Sequence, residues 1–205
     1  MKNLINSSYL TLGSTVSNEI NPIKGSRFIG IASPVDSDAA AMILLADIKS
    51  RYSDARHWCW AYQLCHQQRR RFNDDGEPSG SAGKPILAPI VGRRLMDTLV
   101  VVVRYFGGVK LGIGGLVRAY SQATNAVLDY ADIITVIPKQ TIILVYRYEE
   151  TAQVAAALHK CGLQAENMSY TDCIRAELRV TADKLAPTIQ LLTDYSGGKI
   201  KIFQD

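Results

Sequence analysis

The sequence predicts an α+β protein of two domains, residues 1–137 and 138–205, the second with a ferredoxin-like plan. Three observations carry that expectation. With 205 residues the chain exceeds the usual single-domain size and can supply two modest cores. Hydrophobic content of 47% and charged content of 20% are ordinary for a packed globular protein and exclude a disordered chain or a disulfide-built miniature. After Pro138 the pattern becomes strand (141–148), helix (149–160), strand (164–170), strand (173–180), helix (182–194), strand (199–203). That β-α-β-β-α-β order is the split-βαβ plan, and Gly162 and Gly197-Gly198 supply the helix ends it needs.

In the first domain, Tyr9 to Ile20 and Arg27 to Ser33 read as an antiparallel strand pair, separated by the turn residues Asn21-Pro22 and Lys24-Gly25. Asp36 is the expected N-cap of an amphipathic helix whose apolar face is Ala41, Leu44, Leu45, Ile48 and Tyr52. His57 to Cys65 and Leu99 to Val103 suit buried strands. A short helix is expected over Ala82 to Val91, since Pro85 fits a first turn. A longer one follows the glycines, with Leu116, Tyr120, Ala123, Val127 and Leu128 as its apolar stripe.

Charge placement narrows the search for function. Residues 1–138 hold 15 Lys/Arg against 11 Asp/Glu, and residues 139–205 hold 8 of each. Between Arg56 and Arg118 the count is 10 basic to 4 acidic, a field suited to phosphates or acidic surfaces. The N-terminus MKNLINSSYL has no apolar signal segment and no run reaches the roughly 18 apolar residues of a membrane span, so a cytoplasmic protein is expected. Cys59, Cys65, Cys161 and Cys173 include no C-x-x-C pair and are expected to stay reduced.

Two stretches between Phe72 and Tyr120 concentrate the candidate chemistry. The first runs from Phe72 to Pro85 and holds Asp74, Asp75, Glu77, Ser79, Ser81, Gly83 and Lys84. Its backbone N–H groups suit an anion at a helix start with Lys84 as a point charge, and Asp74, Asp75 and Glu77 suit acid–base work or a hard cation. The alternative is a solvated turn leading into a helix capped by Ser81. A nucleotide-hydrolysing phosphate loop is excluded: Pro78 stands where its first glycine belongs, and Pro85 replaces the magnesium-binding hydroxyl.

The second stretch is a buried strand running through Arg104, Tyr105, Phe106, Gly107, Gly108, Lys110, Gly112, Gly114 and Gly115 into a helix carrying Arg118. A helix N-terminus at the strand's C-terminal end favours anions, Arg104, Lys110 and Arg118 reinforce it, and Tyr105 and Phe106 can stack on a base or an acyl group. The competing reading is that the glycines serve close backbone packing. Gly112-x-Gly114 lacks the third glycine and the acidic residue of a dinucleotide site. Arg56 joins these residues as a further anion contact. His57, Cys59 and Cys65 alternate onto one strand face but form no closed ligand set, so packing is the expected role and no metal or other cofactor is expected. Arg69-Arg70-Arg71 reads as a solvated hairpin or loop able to pair with Asp74 and Asp75.

Several blocks together resemble the IMPACT family in its bacterial branch: Lys24-Gly25-Ser26-Arg27-Phe28, Asp54-Ala55-Arg56-His57, Asp74 to Pro78 with Gly83-Lys84-Pro85, and Val101 to Gly108 followed by Leu111-Gly112 and Gly114-Gly115-Leu116. The resemblance covers nearly the whole chain. It implies a first domain like the second domain of a small-subunit ribosomal protein and a ferredoxin-like second domain like the last domain of elongation factor G. Eukaryotic relatives regulate translation by binding an activator of a stress kinase through an additional N-terminal domain, a role not expected of this sequence. Two functions are therefore expected. One is binding of RNA, a ribosomal component or a translation factor through a basic surface containing Lys84, Arg104, Lys110 and Arg118. The other is a small-ligand binder or enzyme acting on a phosphorylated or carboxylated substrate at the Asp74 to Lys84 loop.

Overall fold

The computed structural model describes residues 8–65 and 69–204, which form two compact units, residues 9–136 and a second beginning at residue 137. The first contains β1 (Tyr9–Leu12), β2 (Val16–Glu19), β3 (Arg27–Pro34), α1 (Asp38–Arg51), β4 (His57–Gln63), β5 (Arg70–Asn73), α2 (Gly83–Gly92), β6 (Thr98–Tyr105), α3 (Ile113–Asp129) and β7 (Ile133–Val136). Five strands make an antiparallel sheet in the order β2-β3-β6-β4-β5. Strand β6 lies at its centre and is buried from Thr98 to Arg104, which is why its sequence is a continuous apolar run rather than an alternation.

Alternate residues of β4 and β6 feed two cores. Cys59, Ala61, Val100 and Val102 pack under α2 and α3 with Ile86, Ile90, Tyr120 and Val127. Trp60, Tyr62, Leu99, Val101 and Val103 pack under α1 with Ala41, Leu45 and Ile48. The sheet is thus covered on both faces, and the cavity described below opens on the α3 side.

The expected strand 9–20 is two strands. It breaks at Gly13-Ser14, where Gly13 N–H donates to the Asp132 carbonyl (2.8 Å) and β1 leaves the main sheet to pair with β7. The N-cap of α1 is Ser37, one residue beyond Asp36; its Oγ accepts from Ala40 N (3.2 Å). Arg70 and Arg71 belong to edge strand β5, where long charged side chains discourage further strand pairing. Arg69 pairs with Asp38 and Arg70 with Gln63, not with Asp74 or Asp75.

The second unit contains β8 (Lys139–Tyr146), a 3-10 turn (Tyr148–Glu150), α4 (Thr151–Cys161), β9 (Glu166–Tyr170), β10 (Ile174–Thr181), α5 (Ala182–Ser196) and β11 (Lys201–Gln204). Its antiparallel sheet runs β11-β8-β10-β9, that is fourth, first, third, second, the ferredoxin-like order. Ile174, Ala176, Leu178 and Val180 of β10 are buried and meet Val154, Ala157, Leu158 and Leu192 of α4 and α5. Glu149 and Glu150, expected in the helix, sit in the 3-10 turn that precedes it. All four cysteines are unpaired thiols.

Candidate functional site

The stretch from Asp74 to Gly83 is held in shape by the carboxylate of Asp74. Its Oδ2 accepts from Gly80 N (2.9 Å), and its Oδ1 accepts from Ala82 N (2.9 Å) and Gly83 N (2.8 Å). Asp74 therefore caps α2 from eight residues away, while Ser81, the expected cap, turns its hydroxyl back to donate to the Pro78 carbonyl (2.6 Å). Burial works to raise the Asp74 pKa, but the three N–H donors and the nearby Lys84 charge outweigh it and hold the group below the ordinary carboxylate value. Asp75 is equally occupied. Its Oδ2 accepts from Trp58 N (2.8 Å) and its Oδ1 takes Lys49 Nζ (3.1 Å).

Glu77 is the one carboxylate of the three that reaches the interior. Its side chain is 4% exposed and meets the 6%-exposed guanidinium of Arg104, whose Nη1 donates to Glu77 Oε1 at 2.5 Å. The Tyr120 hydroxyl donates to the same oxygen (2.7 Å), and Arg104 Nη2 reaches Ser26 Oγ (3.4 Å), which also accepts from Gly107 N (3.1 Å). The guanidinium lies over the rings of Phe28 (5.5 Å) and Phe106 (5.7 Å), and its Nε is buried without a hydrogen-bond partner. Beneath this pair the Cys59 thiol donates to the Asp74 carbonyl (3.0 Å) and lies 3.3 Å from the Tyr120 hydroxyl. Burial pushes the Cys59 thiol far up, which favours its protonated form in the closed site.

His57 completes the wall. Its Nδ1 stands 2.9 Å from the Asp75 carbonyl, an oxygen that only accepts, so Nδ1 carries the proton. Nε2 is left on the side of Glu77, 3.9 Å from Oε1. The alternation of the strand predicts packing for His57, and the structure places it on the cavity wall. Its signal was the adjoining Arg56 and the strand start, neither of which reveals which loop will cross it.

These groups line a cavity of about 490 Å³, within the range of small-molecule sites. Arg56, His57, Arg104 and Lys110 face it together with Glu77, and Pro78, Phe106, Leu111, Ile113 and Leu116 form its apolar lining. Glu77 offsets Arg104, whereas Arg56 and Lys110 have no carboxylate within ion-pair distance among the described residues. The N-terminus of α3 also faces the cavity through Gly112 and Ile113. Gly112 caps it with φ of +72°, a left-handed value that favours glycine, and the first intrahelical bond is Leu116 N to Gly112 O (2.9 Å). The N–H groups ahead of Leu116 therefore have no partner within the helix, and the positive end of its dipole adds to the two cations.

Arg56, Glu77, Arg104, Lys110 and Gly112 are brought together by the fold, so the Asp74 to Lys84 loop and the Arg104 to Arg118 segment meet at one place. Beside this site the backbone after β6 crosses the turn before β3: a Cβ on Gly107 would fall 1.9 Å from the Gly25 carbonyl carbon, a distance only glycine permits. The remaining candidates lie elsewhere. Ser79, Lys84, Gly108, Gly114 and Arg118 do not line the cavity; Lys84 and Arg118 are exposed side chains. Gly83 packs on Phe72 and Asn73, and Gly115 lies against Leu111. Tyr105 packs with the α1 core, donating its hydroxyl to Asp54 (2.8 Å). No cluster of metal-ligating side chains is present among the described residues.

Known proteins extend the same picture. The Impact N-terminal domain model matches residues 24–128, the span that contains every cavity residue. The chain is 33% identical over 186 residues to the IMPACT family member YigZ of Escherichia coli (strain K12), covering 89% of this chain and 91% of that protein. It is 33% identical over 199 residues to the IMPACT family member YvyE of Bacillus subtilis (strain 168), covering 95% and 90%. A crystal structure described as that of a hypothetical protein is 32% identical, with a TM-score of 0.75 over 96% of both chains. The match in sequence runs through both units, and the chain belongs to the IMPACT family.

Proposed function

We propose that the chain binds a small phosphorylated or carboxylated molecule in the cavity between β4, the loop around Glu77 and the start of α3. One observation carries this reading: two segments distant in sequence converge on a concave site in which Arg56, Lys110 and a helix N-terminus face the same space, with no carboxylate among the described residues paired to either cation. The buried Arg104–Glu77 pair is the frame of that site rather than its free charge. Titration of the labelled protein with orthophosphate and citrate, followed by NMR, is expected to shift resonances of residues 56–57 and 110–116. Arg56→Ala with Lys110→Ala is expected to weaken binding at least tenfold. Absence of shifts in those residues at millimolar ligand would overturn the proposal.

A second reading, binding of RNA, a ribosomal component or a translation factor, is favoured by Phe106, Val109 and Ile113, which are exposed beside Lys110. An exposed aromatic ring near a lysine suits stacking and phosphate contact with nucleic acid, and the family's link to translation agrees with it. Of the surface first expected, Lys84, Lys110 and Arg118 are exposed, while Arg104 is buried against Glu77 and does not reach a polymer. Filter binding with structured RNA and ribosomes across a salt series tests it. A steep loss of affinity with salt supports this reading, and no binding at low salt excludes it.

A further inference from the structure

The cavity holds three kinds of lining, and an inorganic anion uses only one of them. Arg56, Lys110 and the α3 N-terminus supply positive charge. His57 Nε2 adds an acceptor that a phosphate or carboxylate group has no use for. Phe106, Leu111 and Leu116, with Pro78 and Ile113, give an apolar wall with no hydrogen-bonding side chain. Phe106 is 44% exposed, and the Arg104 guanidinium lies over its ring at 5.7 Å. A half-exposed ring with a guanidinium against it offers a flat surface, better matched to a planar heterocycle than to a flexible acyl chain.

Resting on the anion-binding reading above, we propose that the ligand is a 5′-phosphorylated nucleoside, its phosphate held at Arg56, Lys110 and the α3 N-terminus and its base stacked on Phe106. A ribose hydroxyl donates to His57 Nε2. Because the apolar wall offers the base nothing to hydrogen-bond, the site distinguishes bases by stacking area alone, purines ahead of pyrimidines. The nucleoside phosphate comes either as a free nucleotide or as the 5′ end of an RNA.

Calorimetry on the full chain with orthophosphate, ribose 5-phosphate, hexyl phosphate and AMP tests the assignment. AMP is expected to bind tighter than ribose 5-phosphate by about 5- to 150-fold, the range that stacking one base supplies. That advantage is expected to vanish in Phe106→Ala and to return in Phe106→Tyr. AMP no tighter than ribose 5-phosphate, or hexyl phosphate equal to AMP, overturns the nucleoside assignment and leaves the anion site standing. Failure of all four ligands overturns both. A 5′-phosphorylated pentanucleotide that binds as tightly as AMP, with its 5′-hydroxyl counterpart inactive, identifies an RNA end as the source. A markedly weaker pentanucleotide identifies the free nucleotide.

Discussion

Arg104 and Glu77 are nearly sealed from water, and that makes each a liability without the other. Removing Glu77 leaves a desolvated guanidinium whose Nε already has no partner, and the cost of an unpaired buried charge is about 3–5 kcal/mol. Glu77→Ala is expected to lower the urea unfolding free energy by about that amount. The double replacement Arg104→Met, Glu77→Leu is expected to cost less than the sum of the two single losses, because no charge is then stranded. A double-mutant cycle by urea denaturation checks both statements; additive losses would show that the pair is not coupled. At this scale the sequence was partly legible. Glu77, Arg104, Arg56 and Lys110 were visible as charged residues in a glycine-rich region, but nothing in their spacing showed that one carboxylate of three turns inward. That choice depends on Asp74 being consumed by three backbone donors and Asp75 by Trp58 N and Lys49, which are tertiary facts.

Helix α2 begins without a side-chain cap of its own, and its first N–H groups depend on Asp74. The pH dependence follows from the direction of the Asp74 shift. Its folded pKa lies below the ordinary value of about 4, so the stability it contributes is complete above that value and is lost as pH falls through the lower folded pKa. Asp74→Ala is expected to destabilise the protein by about 1–2 kcal/mol at pH 7, the size of a lost cap. The gap between the wild type and this variant is expected to narrow as pH is lowered from 6 to 3. Parallel urea titrations at each pH measure it, and a gap that stays constant would show that the carboxylate charge is not what holds the helix start. Helix α3 with its apolar stripe, β6 with its unbroken apolar run and β10 with its alternation were readable because burial imposes the pattern directly. The break at Gly13 and edge strand β5 were not, since the first is decided by pairing with β7 and the second by an arginine-rich sequence that looks solvated from its composition.

The two units differ in what they carry. Every cavity residue lies in the first, and residues 1–138 hold the excess positive charge, while residues 139–205 are balanced in charge and the second unit is built around its own core. Leu144 is fully buried in that second core. Leu144→Ala is expected to destabilise the protein by about 2–5 kcal/mol, the usual cost of deleting a buried leucine side chain. The orthophosphate affinity of the folded protein is expected to be unchanged. Urea denaturation together with an NMR titration of the same sample checks the separation, and a parallel loss of affinity would show that the cavity depends on the second unit. No described helix is long and apolar enough to cross a membrane.

The thiol under the Arg104–Glu77 pair gives the site a built-in clock. Cys59 is fully covered, whereas Cys65, Cys161 and Cys173 are partly open to solvent. A maleimide added in excess therefore reaches the three partly open thiols ahead of Cys59, which needs the packing around the Asp74 carbonyl and the Tyr120 hydroxyl to open. The lag of the fourth adduct in a mass spectrum measures how often that opening occurs, and a molecule that fills the cavity lengthens it. Occupancy becomes observable on the unaltered protein, with no engineered label and before the occupant has been identified.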